Sequence, residues 1–207
     1  MIRFENTEVS GWAAAVRGMR NPLNSWEKSD IIIDDIGLCE LGENNLKLMQ
    51  QLIKAGSDHS KFMRMINVTV DIIAPLYWWK EFDTYKVGTV RNSCSTMHTI
   101  HKKPFELDDF STDHLTNRAK HVLETVIHYL NVYRNLHIEE KSKEWWWQLI
   151  QLLPSSYNQR ATVQLNYAVL RNIYKSDRRH HKLDEWRVGF MEWIESLPYS
   201  ELITMEV

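Results

Sequence analysis

Apolar and polar positions alternate in two distinct periods along this chain, and the two periods predict different elements. Residues 2–9, "IRFENTEV", predict a first strand, and "GWAAAVRGM" predicts a short helix stopped at Asn21 and Pro22. In "ENNLKLMQQLIKAG" the apolar residues Leu46, Met49, Leu52 and Ile53 stand among polar neighbours, and Gly56 occupies the place of a left-handed terminal residue, so this is an amphipathic helix. In "MRMINVTVDII" the period changes to two. Ile66, Val68, Val70 and Ile72 alternate with Asn67, Thr69 and Asp71, which predicts a strand with one buried face. Pro75 then suits the first turn of a helix, where a missing N–H costs nothing.

Helical spacing dominates the second half. Leu115, Ala119, Val122, Val126, Tyr129 or Leu130, and Tyr133 predict one long helix from Ser111 to about Leu136, and "EEKSKEWWWQLIQLLP" a further helix opened by acids and closed by Pro154. Two more helices are expected from "NQRATVQLNYAVLRNIYKS" and "KLDEWRVGFMEWIESLP", the latter striped by Leu183, Trp186, Phe190, Trp193 and Leu197. Strands come early and helices late. The predicted class is α+β, a helix-dominated domain with a small antiparallel sheet.

Composition narrows the function classes. With 207 residues and 43% hydrophobic content the chain suits a single domain over 1–207, and only 7 Gly and 5 Pro beside 9 Trp favour long packed helices. A net charge of -2 and a pI near 6.5 provide no global positive field for nucleic acid or an anionic membrane. No apolar run approaches the roughly 20 residues of a membrane span, and "MIRFENTEVSGW" lacks the secretory pattern, so a cytoplasmic protein is expected. Cys39 and Cys94 have no CxxC spacing, which predicts reduced thiols rather than a disulfide framework or zinc knuckle.

Candidate chemistry gathers in two places. "GTVRNSCST" strings small polar side chains behind Gly88; it is poor core material and suits either a ligand-facing turn or an ordinary capped one. Within it Cys94 reads as an inert thiol or as an activated nucleophile, with no histidine placed in sequence to act as its base. "KSDRRHHK", Lys175 to Lys182, is the densest basic run and reads either as a solvated helix junction or as a phosphate site between helices. The paired histidines lack the i, i+4 spacing of helical metal ligands, so no metal is expected. Tyr77, Trp78 and Trp79 read as core or subunit interface. Three consecutive tryptophans, Trp145–Trp147, turn about 100 degrees per residue, so at least one should lie at an interface of an oligomer.

Several segments together resemble the flavin-dependent thymidylate synthase family. They are "LMQQLIKAGSDHSKF", the Ala-Pro that opens an aromatic helix ending in a polar loop, and "TVQLNYAVLRNIYKSDRRHHKLDEWR" with Asn166, Leu170, Asn172, an Arg near 178, His181 and Glu185 at similar intervals. The resemblance spans about residues 40 to 195. It implies a homotetramer carrying FAD between subunits, reduced by NADPH, that converts dUMP to dTMP with methylenetetrahydrofolate. Protein groups there stack heterocycles and place positive charge beside phosphates and carbonyls.

On this resemblance Thr84, Tyr85 and Lys86 stand where the family signature has Arg-His-Arg. Asn92 fills the place of an Asn-Glu pair, Cys94 and Ser95 lie near the signature Ser, and Thr96 falls where an Arg would bind the nucleotide. A Thr offers one neutral hydroxyl in place of a bidentate fork, and Arg91 is the nearest compensating cation. Ala168 replaces a flavin-contacting Arg, while Arg178 or Arg179 takes the role of the Arg that grips the pyrimidine. The resemblance thus implies Lys86 and Arg178 as the groups stabilising charge on the nucleotide, and Tyr85, Asn166, Asn172 and His181 as cofactor contacts. Arg91, Asn92, Cys94, Ser95, Thr96 and Arg179 would contact a pyrimidine nucleotide. The thinned charge also admits an alternative, a non-catalytic relative that binds a nucleotide or a partner protein as a regulator or sequestering factor.

Overall fold

The computed structural model describes residues 2–35 and 39–206. In chain order the elements are β1 (Arg3–Ser10), α1 (Trp12–Arg20), β2 (Ile32–Ile33), β3 (Cys39–Glu40), α2 (Glu43–Lys54), β4 (Asn67–Pro75), α3 (Leu76–Phe82) and β5 (Val90–Ser93). They continue with α4 (Thr96–Thr99), α5 (Asn117–Glu140), α6 (Lys143–Leu152), β6 (Asn158–Asn166), α7 (Tyr167–Lys175), a π-helical turn (Glu185–Phe190), α8 (Met191–Glu195) and α9 (Glu201–Thr204). The fold is α+β, with helix predominating over a small antiparallel sheet. The main sheet has four strands in the order β1-β4-β6-β5, and β2 pairs with β3 antiparallel.

The alternating pattern behaves as read. Ile66, Val68, Val70 and Ile72 are fully buried, whereas Asn67, Thr69 and Asp71 are partly exposed. Helix α2 has no capping side chain of its own at Gly42; instead the Asp30 carboxylate accepts from the backbone N–H groups of Asn44 (2.7 Å) and Asn45 (2.9 Å). Gly11 (φ 92°) admits no other residue, because a Cβ there would lie 2.0 Å from the Met65 carbonyl oxygen.

Four boundaries differ from the sequence reading. "NQRATVQLN" is strand β6, not the start of a helix: Ala161, Val163 and Leu165 are buried while Thr162 and Gln164 are exposed, a period of two joined without a break to the helical period of α7. A strand therefore also comes late in the chain. The long helix starts at Asn117 rather than Ser111, because Phe110 pairs with Tyr157 and Ser111 N–H donates to the Ser156 carbonyl (2.8 Å) before Thr116 caps the helix. Glu139 and Glu140 belong to its last turn; Lys141 (φ 50°) breaks it and Ser142 caps α6. Pro75 ends β4 in extended conformation (ψ 151°) as the residue before α3, not within its first turn.

The chain divides into two compact units. One comprises residues 2–3, Ile72–Thr84 and 92–162. Its core joins Ile100, Phe105 and Phe110 to Leu123, Ile127 and Leu130 of α5 and Leu149 of α6, and Trp78 stacks on Phe82 at 5.0 Å. Trp78 and Trp79 are core residues. The other unit comprises Phe4–Asp71, Tyr85–Arg91 and residues 163–206. Within it Phe4 stacks on Trp193 (4.7 Å), Trp12 meets Tyr167 edge-on (5.2 Å), and α7 packs on α9 and α1 on the turn before β4.

Candidate functional site

In the second unit, residues 85–88 meet the segment that runs from the end of β6 through α7 to the π-helical turn. Asn166 ends β6 and begins α7, and its Oδ1 accepts from Val169 N–H (3.1 Å), supplying one donor of the helix start with a partner. Gly88 (φ 73°) lies against this cap: a Cβ there would stand 3.1 Å from Val169 Cγ2 and 3.2 Å from Asn166 Nδ2. One helix length on, Ser176 Oγ donates to the Ile173 carbonyl (2.8 Å), so the 3.4 Å contact between Ser176 and Tyr85 has the Tyr85 hydroxyl as donor. That hydroxyl in turn accepts from Arg178 Nε at 2.8 Å.

Aromatic faces complete the setting of Arg178. Its guanidinium carbon stands 5.4 Å from the Tyr85 ring centroid and 4.7 Å from that of fully buried Trp186. His181 packs edge-on to Trp186 (6.4 Å), and its Nδ1 accepts from Leu183 N–H (3.1 Å), which leaves Nε2 to carry the proton of the neutral ring. Tyr85, Arg178, His181 and Trp186 thus form one cationic, aromatic-walled corner. The neighbouring Arg179 turns elsewhere, lying over Tyr174 (5.0 Å) and 3.8 Å from Glu206. Lys86 is exposed and Arg91 half-buried on β5.

Asn172 lies on the exposed side of α7, at a cavity of about 460 Å³ that Ala168, Arg171 and Lys175 line from α7 and Arg64 lines opposite, with the Ser57 and Ser60 hydroxyls. Burial lowers the Lys175 pKa below the usual lysine range, and the Arg171 charge lowers it further. Arg171 Nη1 donates to the Ile203 carbonyl (2.8 Å). Three cations around two hydroxyls in one hollow suit a diphosphate or another dianion. Sequence reasoning missed Arg64 and Arg171. A signal existed for the second: like charges at i, i+4, as in Arg171 and Lys175, disfavour an isolated helix and call for an anion.

Asn92, Cys94, Ser95 and Thr96 belong to the first unit. Asn92 is exposed on β5, and Cys94 follows it with N–H donating to the Arg160 carbonyl (2.9 Å) and carbonyl accepting from Gln159 Nε2 (2.8 Å). Ser95 caps α4, its Oγ accepting from His98 N–H (3.3 Å). Cys94, Ser95 and Thr96 line a cavity of about 440 Å³ with Lys102, Tyr157 and Arg160. Lys103 in the same wall is paired with Asp109, which holds its pKa above the usual value, and burial raises that of Tyr157. Lys102, Arg160 and Tyr157 were not singled out in the sequence; Arg160 lies on β6, which was read as helix, and the other two come from separate turns that only the folded chain brings to one cavity. Among the described residues no group of three His, Cys, Asp or Glu side chains is placed to hold one metal ion, and no helix is long and apolar enough to cross a membrane.

No protein-family model matches the chain, and no curated protein matches it in sequence. Solved structures do match. A thymidylate synthase X (ThyX) from Helicobacter pylori with FAD and dUMP superposes with a TM-score of 0.69 at 16% identity, over 100% of this chain and 98% of that one. A second structure of the flavin-dependent thymidylate synthase ThyX from Helicobacter pylori, complexed with FAD and dUMP, gives 0.68 at 18% identity over 98% of each chain. The chain has the fold of the flavin-dependent thymidylate synthases, end to end.

Proposed function

We propose that this protein binds a pyrimidine nucleotide of the dUMP type together with FAD, as a homo-oligomer, and acts as a thymidylate-synthase-like flavoprotein. The observation that carries the reading is the junction of Tyr85 with Arg178, separated by 93 positions yet held at 2.8 Å, within a fold whose solved examples hold FAD and dUMP. On this reading Arg178, oriented by Tyr85 and Trp186, faces the pyrimidine, and Lys86 adds charge beside the nucleotide. Arg91, Asn92, Cys94, Ser95, Thr96 and Arg179 are the further nucleotide contacts proposed.

The residues present fit the phosphate half of FAD. Arg64, Arg171 and Lys175 around a cavity of about 460 Å³ would neutralise a pyrophosphate, with Asn172 beside it and Asn166 and His181 on the same unit. When bound and reduced by NADPH, FAD would supply hydride, with methylenetetrahydrofolate as the source of the carbon; the chain's own residues would hold, orient and shield the flavin. NADPH and methylenetetrahydrofolate belong to the same proposal.

A second reading has its own observation. Thr84, Tyr85 and Lys86 hold one cation where the family signature has two arginines and a histidine, and the Tyr85 hydroxyl is already engaged by Arg178 and Ser176. A nucleotide-binding relative without catalysis would need no more.

The test is the absorption spectrum of protein purified with FAD, followed by melting temperatures with FAD and dUMP. Bound flavin bands and a rise in Tm with both ligands are expected, about 2.7 kcal/mol of stabilisation at a hundredfold excess over Kd. A rise with dUMP alone would favour the binding protein. A colourless protein unmoved by either ligand overturns both readings, and an unchanged dUMP affinity in Lys86→Ala would remove Lys86 from the site.

A further inference from the structure

A cavity of about 920 Å³ lies in the second unit, and none of its lining residues belongs to the 460 Å³ hollow on α7 or to the 440 Å³ cavity beside Cys94. Its volume is that of a small-molecule site. Helix α2 supplies an apolar wall through Leu48 and Leu52, half-buried and one turn apart, while Asn45, Met49 and Ile53 of the same helix are buried in the unit. Met19 at the end of α1 and buried Phe62 extend that wall. Leu23, also lining the cavity, is 83% exposed, an apolar side chain that an occupant would cover.

Charge around this cavity depends on depth. Glu27, Lys28, Asp58 and Lys61 line it from exposed positions, two acids and two lysines whose charges cancel and are screened by water. Arg20 lines it while only 4% exposed. Its Nε donates to Asn45 Oδ1 (2.9 Å) and its Nη1 to the Ser25 carbonyl (3.2 Å), both neutral acceptors, and among the described residues no carboxylate stands at ion-pair distance from it. The Asp30 carboxylate feels the Arg20 charge but is bonded to the backbone N–H groups of Asn44 and Asn45. A buried guanidinium without an acid is costly, and its Nη2 remains for an anion.

We infer that this cavity binds a small amphipathic carboxylate, its hydrocarbon body along Leu48, Leu52 and Phe62 and its head group on Arg20. The walls select that class. A neutral apolar ligand would leave the buried charge without a counter-ion, and a phosphate would bring a second negative charge towards Glu27 and Asp58 with one buried cation to hold it. One carboxylate matches one guanidinium.

This site goes beyond the flavin and nucleotide reading and does not rest on it. Isothermal titration calorimetry of the full chain with octanoate tests it, with octanol as the uncharged match and circular dichroism to establish that each variant is folded. Octanoate should bind saturably at one site per chain, and octanol about ten-fold more weakly or worse. Arg20→Gln should bring octanoate down to the octanol level. Because Arg20 also ties Asn45 to the Ser25 carbonyl, Leu52→Trp provides a second variant that fills the cavity and leaves those bonds in place; it should abolish binding of both probes. No saturable octanoate binding overturns the proposal, as does octanol binding as tightly as octanoate. Undiminished binding in folded Leu52→Trp places the ligand elsewhere and overturns it too, and displacement of octanoate by FAD or dUMP would assign the cavity to those ligands instead. Octanoate binding by a protein that takes up no flavin would leave this inference standing and the functional proposal not.

Discussion

Arg178 Nε donates to the Tyr85 hydroxyl at 2.8 Å, and that hydroxyl donates onward to Ser176 Oγ. One hydrogen bond ties the loop after α3 to the segment after α7 and aims a guanidinium that Trp186 backs from below. Tyr85→Phe keeps the ring under the cation but removes both bonds. It should cost about 1 kcal/mol in urea unfolding and loosen the dUMP complex, whereas an unchanged unfolding midpoint would mean that the bond carries no net stability.

Gly88 and Asn166 form a second tie within the same unit. Gly88→Ala meets both a left-handed backbone and a crowded Cβ position, and should destabilise by about 1–2 kcal/mol. Asn166→Ala removes the cap of α7 and should cost about 1 kcal/mol. Because Gly88 touches the cap itself, the double variant should cost less than the two singles together; strict additivity in denaturant titrations would show that the two positions act separately.

Ala168 offers a gain-of-function test. Its side chain lines the cavity that holds Arg64, Arg171 and Lys175, where the sequence resemblance places a flavin-contacting arginine. Ala168→Arg adds a fourth cation, so the free protein should melt lower and the rise on adding FAD should grow. An FAD response no larger than that of the wild type would place the cofactor elsewhere.

Acid should weaken the fold through His101. Burial, then the charges of His137, Lys102 and Arg134, lowers its pKa below the usual 6.5, and its Nδ1 is buried without a hydrogen-bond partner among the described residues. The folded state therefore keeps the ring neutral while the unfolded chain takes up a proton. Stability from this group is complete above pH 6.5 and falls as pH drops through that value towards the lowered folded pKa. His101→Gln should flatten the fall between pH 7.5 and 5.5 in urea unfolding; an identical slope in both proteins would assign the dependence to other groups.

Local pattern determined much of this molecule. The alternation through Ile66 to Ile72, the stripe of Trp186, Phe190, Trp193 and Leu197, and the left-handed Gly56 (φ 107°) that follows α2 are written in neighbouring residues, because burial on one face imposes a period that a short window reveals and a helix end favours glycine. The aromatic run at Trp78 and Trp79 was legible as core on a different ground, the strong tendency of large aromatic side chains to be buried. Strand β6 was not: nine residues of period two run directly into a helix, and the polar letters of "NQRATVQLN" suit either element until a neighbouring strand supplies its hydrogen bonds.

Of the candidate site, the sequence by itself determined which residue types were available, and a distant family likeness said which stretches to look at. Only the tertiary structure decided that Tyr85 meets Arg178 and not Arg179, that Asn166 spends its carbonyl oxygen on a helix cap, and that Arg64, Arg171 and Lys175 share one hollow. Those choices depend on how two helix ends and two turns close on each other in space. Such closure joins residues tens of positions apart, and no local period records it.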